Sequence, residues 1–93
     1  MSNVDDPLSQ HIRGCLLELL DVPGKEPTVG LSQAAKTLSA RIGYPWHDLM
    51  RPIRTVAAAM VDAGAIEATQ HEQVVDIRAV RGPVRLRRRN LAR

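Results

Sequence analysis

Arg51, Arg54 and Thr55 stand at spacings of three and four, which on a helix gather two guanidinium groups and a hydroxyl along one side. Such groups suit nucleic acid: Arg pairs bidentately with a guanine edge, and Thr meets a base or methyl edge in the major groove. Further along, Gln70, His71 and Gln73 offer polar contacts, and Arg85, Arg87, Arg88 and Arg89 offer cationic ones, of the kind that hold phosphates without reading sequence. These ten residues form the candidate nucleic-acid-binding set, with double-stranded DNA as the expected partner. Glu67 and Glu72 oppose phosphate, and a blander alternative makes Arg51 and Arg54 solvated helix-face charges paired with Asp48 or Asp62.

Bond-making chemistry has no comparable signature. The chain holds no GxSxG, no Walker-type glycine loop and no HExxH. His47 and Asp48 are adjacent, so on a helix they point to different faces, and Asp48 reads better as a helix cap. Asp5, Asp6 and Asp76 read as cap and turn residues, and His11 as a rim histidine. Cys15 falls on an apolar stripe, as a small core residue does. Being the single cysteine, it allows no internal disulfide, and no Cys/His spacing suits zinc. The expectation is a binding protein without catalytic residues, cofactor or metal. No apolar run reaches the roughly 18 residues of a membrane span, and the acidic first residues do not resemble a signal peptide, so a cytoplasmic location is expected.

The net charge of +3 is unevenly spread. Residues 1–76 carry six Lys and Arg against all ten Asp and Glu, a net of −4, whereas residues 77–93 carry seven Arg and no acid, a net of +7. A local cationic end beside a nearly neutral body favours an arm over a generally basic surface.

These groups need a scaffold, and residues 46–76 organise it. Leu49, Ile53, Val56, Ala57 and Met60 form one helical stripe, opposite His47, Arg51, Arg54, Thr55 and Ala58. Gly64 stops that helix, and a hairpin over residues 65–76 follows; its tip, residues 70–73, lacks glycine and predicts an open turn. Upstream, Asp6 and Pro7 start a first helix with Leu8, Ile12, Cys15, Leu16, Leu19 and Leu20 on its stripe. Residues 21–27 break it, and Thr28 and Val29 predict a short strand paired with the hairpin. Ser32 predicts the cap of a second helix lined by Ala34, Ala35, Leu38 and Ile42, ending near Gly43. Asp48 predicts the cap of the third helix, with Pro52 in its first turn and Trp46 anchored against the second helix. Val84 and Leu86 alternate with Arg85 and Arg87, as in a short extended segment. The fold class is α+β, a small winged helix-turn-helix of three helices, a β-hairpin wing and a short first strand. Residues 1–87 form a single domain, and residues 88–93 a basic, flexible tail.

From about Thr28 to Arg87 the chain resembles a bacterial family designated domain of unknown function 3253. The resemblance lies in Trp46, Leu49-Met50, Ile53-Arg54, the run Gly64 to Gln70, Val74-Val75-Asp76 and the ending Arg81-Gly82-Pro83-Val84-Arg85-Leu86-Arg87. It implies a winged-helix domain and leaves the function open. One departure is Glu72, where the resemblance implies glycine at the wing tip. The functional expectation is therefore duplex DNA binding, extending to transcriptional regulation. The alternative is a protein-interaction module that admits a partner helix against Ala57, Ala58 and Ala59. No heptad or long apolar arm announces an oligomer.

Overall fold

The computed structural model describes residues 6–21 and 28–89. Its elements run α1 (Pro7–Leu20), β1 (Thr28–Gly30), α2 (Leu31–Ile42), α3 (Trp46–Asp62), β2 (Ile66–Gln70), β3 (Gln73–Val74) and β4 (Arg85–Arg88). At the start of α1 the Asp6 carboxylate accepts the Ser9 N–H at 2.7 Å, and Pro7 fills the first helical position, where a missing N–H costs nothing. Ile12, Cys15, Leu16 and Leu20 are buried, while Leu8 and Leu19 pack at the core's margin. Burial pushes the Cys15 thiol above its ordinary range, against the pull of Arg41, as befits a core side chain.

Two helix starts differ from the sequence expectation. Ser32 is not the cap of α2; Gly30 is, and its N–H meets the Gln33 side chain at 3.5 Å. Leu31 decides this, because it is buried and its N–H bonds to the Val84 carbonyl, so the strand end fixes where the helix begins. Nor does Asp48 cap α3. The helix begins at Trp46 with Pro45 as cap residue, leaving Asp48 inside the first turn, where its charge suits the helix dipole. Pro52 consequently lies in the helix interior, with no N–H to offer the Asp48 carbonyl.

The core stripe of α3 is as its periodicity requires. Leu49, Ile53, Val56, Ala57 and Met60 are each at most 2% exposed. Gly64, at φ 80°, then reverses the chain, and the Ala65 N–H reaches back to the Met60 carbonyl at 3.0 Å.

The sheet is antiparallel in the order β1-β4-β2-β3. The expected hairpin is present, but the strand that pairs with β1 is not the expected one. β2 does turn into β3, but β3 is only two residues long, and the principal partner of β2 is β4; β1 likewise pairs with β4 and not with the β2–β3 turn. Burial explains the preference. Leu86 is opposite both Val29 and Ala68 and is fully buried, whereas Gln73 and Val74 are exposed and bring nothing to a core. β4 extends to Arg88, one residue past the alternating segment, and the Arg89 N–H still bonds the Ala65 carbonyl. Residues 90–93 of the predicted tail lie outside the described residues.

The expected open tip is a tight one. His71 and Glu72 have φ of 53° and 68°, both left-handed, between the paired Gln70 and Gln73. Positive φ at both central residues is the signature of a two-residue type I′ turn, whose twist matches that of the strands it joins.

Between β3 and β4 the chain makes an excursion that packs back on the domain. Ile77 is 1% exposed. The Arg54 guanidinium donates to its carbonyl at 2.7 Å, and Arg78 makes paired bonds to Asp62 at 3.0 and 2.7 Å. The Gln70 amide donates to the carbonyls of Arg81 and Pro83, with Gly82 at φ 87° between them. Arg54, Ala58 and Asp62 are successive turns of one line along α3, and the excursion bonds to the first and last of them.

Candidate nucleic-acid interface

The outward side of α3 is narrower than its sequence suggests. Ala58 is only 4% exposed, and Arg54 is half-buried with its guanidinium committed to the Ile77 carbonyl. Arg54 is thus a bracket for the excursion and not a free reader of bases. Asp62, weighed as its partner, is taken by Arg78 instead. What stays open is the line His47, Arg51 and Thr55, all exposed at spacings of four. Thr55 donates its hydroxyl to the Arg51 carbonyl at 3.1 Å, which leaves its oxygen free to accept. Among the described residues the Arg51 guanidinium has no hydrogen bond or ion pair. Asp48, exposed in the same first turns, offers no anion attraction of its own.

Trp46 is an anchor. The Lys36 ammonium from α2 sits 4.8 Å from its ring centroid, and the His47 ring stacks on it at 3.8 Å. With these neighbours the ring is already engaged, and it fixes the α2–α3 geometry. The Ser39 hydroxyl donates to the Tyr44 carbonyl across the same three-residue link.

The remaining predicted residues are distributed over the sheet, and most serve it. Gln70 ties down the excursion; Arg85 donates to the Thr28 hydroxyl at 2.8 Å and the Thr28 carbonyl at 3.1 Å. Arg87 pairs with Glu67 at 2.9 Å across β2–β4, and Arg88 with Asp21 at 3.2 Å. His71 and Gln73 are exposed at the turn, and Arg89 is exposed past β4. Two partners escaped sequence reasoning: Thr28 and Glu67 position the arginines that face them. Their signal was the alternation within each strand, which marks outward residues but not which strand comes next.

The Asp62–Arg78 pair carries a pH dependence. The hydrogen bond from Arg78 holds the Asp62 carboxyl below its ordinary range. Its stabilising effect is complete above the unfolded carboxylate range and is lost as pH falls through the depressed folded value. In a carboxyl-detected NMR titration, Arg78→Ala is expected to return Asp62 to the ordinary range. An unshifted Asp62 would show that the exposed pair does not form.

Of the alanines expected to admit a partner helix, Ala57 and Ala58 are buried within the domain and Ala59 is half-buried. Among the described residues, no helix is long and apolar enough to cross a membrane, and no group of three or more His, Cys, Asp or Glu is placed to hold a metal ion.

Among the described residues, three helices, the last two joined by three residues, and a small antiparallel sheet form a compact α+β fold consistent with a small winged-helix-like domain. The profile of a family described as protein of unknown function (DUF3253) matches residues 9–89, and the chain belongs to that family. The match reaches into α1, beyond the stretch from Thr28 on which the resemblance rests. No curated protein matches the sequence.

Proposed function

We propose that the protein binds double-stranded DNA through the first turns of α3, as a cytoplasmic, non-enzymatic regulator of transcription. The observation that carries the proposal is the Arg51 guanidinium, without a partner among the described residues and exposed between His47 and Thr55 on α3, which follows α2 after a three-residue link. In that geometry the outer line of the second helix enters the major groove, where Arg and Thr read base edges. Arg89 and the unused N–H groups of Arg87 supply phosphate contacts. The single cysteine is buried in the core, in keeping with a reducing compartment.

Duplex titrations at two salt concentrations test the reading. Affinity for random sequence is expected to fall with added salt, as released counterions require. Against the tightest sequence selected from a random pool, Arg51→Ala is expected to weaken binding by about 1–3 kcal/mol. Salt-independent affinity, or a selected duplex indifferent to Arg51→Ala, would overturn it.

A further inference from the structure

The outer face of the sheet holds a groove of about 650 Å³. Thr28, Thr69, Arg85 and Arg87 form its floor, with His71 and Glu72 at one end. That size falls within the range of roughly 300–1,000 Å³ common to small-molecule sites.

Arg85 and Arg87 project from the same side of β4, two residues and thus about 6–7 Å apart along the strand. Both side chains are already fixed, Arg85 by the Thr28 hydroxyl and carbonyl and Arg87 by Glu67. Their ordering is part of folding, so a ligand does not bear it again. Neither guanidinium is exhausted: Arg85 uses Nε and one Nη2 proton, Arg87 only Nε, and the other N–H groups remain available. Glu67 balances Arg87, and among the described residues no acid pairs with Arg85, so these floor residues retain one positive charge. A planar carboxylate is satisfied by a single guanidinium fork, whereas a tetrahedral dianion takes donors from two. At the far end the Glu72 carboxylate disfavours a second anion and accepts N–H donors.

We propose that this groove binds a phosphate monoester of mononucleotide size, its phosphate on Arg85 and Arg87 and a nitrogen donor toward Glu72. The groove shares Arg87 with the duplex reading but neither Arg51 nor Thr55, so the response to Arg51→Ala separates the two.

An amide-resolved NMR titration of the full chain with adenosine monophosphate, inorganic phosphate and acetate tests it. Saturable shifts are expected at residues 28, 69–72 and 85–87, with the nucleotide tightest and acetate weakest. Arg85→Ala is expected to weaken nucleotide binding tenfold or more, the worth of a charged hydrogen bond. Arg51→Ala is expected to leave it unchanged. Should Arg85→Ala lose its native spectrum, Thr28→Val, which removes only the hydroxyl that orients Arg85, serves instead, with a loss of at least about threefold expected. Absence of saturable shifts at millimolar nucleotide, shifts confined to α3, or acetate binding as tightly as the nucleotide would each overturn the proposal.

Discussion

Ile77→Ala is expected to lower the unfolding free energy by about 3 kcal/mol, within the range of roughly 2–5 kcal/mol for truncating a buried Ile. Its side chain is 1% exposed and belongs to the same core as the α3 stripe, although it lies in neither helix nor strand. The cost has two parts: the lost transfer of its methyl and methylene groups, and the cavity that remains where the excursion cannot close in. Closure is restricted because the chain on either side is already pinned, by Arg54 at the Ile77 carbonyl and by Arg78 at Asp62. For a domain whose total stability is on the order of 5–15 kcal/mol, that loss is severe. Urea unfolding measures it directly. Val80→Ala, at a half-buried position of the same excursion, is expected to cost less than about 1 kcal/mol. A loss at Ile77 no larger than that at Val80 would mean the excursion is a surface loop and not a part of the core.

Ile77 also marks the limit of what was legible before the structure. The stripe on α3 was visible because helical phase is local: Leu49, Ile53, Val56, Ala57 and Met60 need only each other's spacing to declare a buried face. The alternation of Val84 and Leu86 declared β4 in the same way. Ile77 stands alone between Asp76 and Arg78, with no period around it, so nothing local distinguishes it from a turn residue. The same reasoning accounts for Arg54. Helical phase places it opposite the core, which is correct as far as phase goes, but its partner lies 23 residues further along. Strand order was hidden for a related reason, since β4 is inserted between β1 and β2, which precede it in the chain. Of the candidate site, Arg51 and Thr55 were legible from phase and composition together. The roles of Gln70 and Arg85 were not, because their partners were residues that only the folded sheet brings near.

Replacing His71-Glu72 with Asn-Gly is expected to stabilise the domain by about 1–2 kcal/mol. The left-handed conformation costs an ordinary L-residue roughly 1–2 kcal/mol, and both turn residues adopt it. Asn tolerates that region better than His, and Gly is free of the Cβ clash, which is why Asn-Gly dominates type I′ hairpins. The side chains surrendered are exposed and take no part in the core, so little packing offsets the gain. In thermal unfolding the change should raise the midpoint by about 4–8 °C per kcal/mol, given the size of the chain. A single Glu72→Gln variant separates charge from backbone, since it keeps the strain and removes only the carboxylate. If Asn-Gly does not raise the midpoint, the two positive φ angles are not the turn's conformation in solution. If Glu72→Gln stabilises as much as the double change, charge repulsion and not backbone strain is what the native turn endures. The glycine that the family resemblance leads one to expect at this tip is what the Glu72 φ favours, so the departure has a defined physical cost.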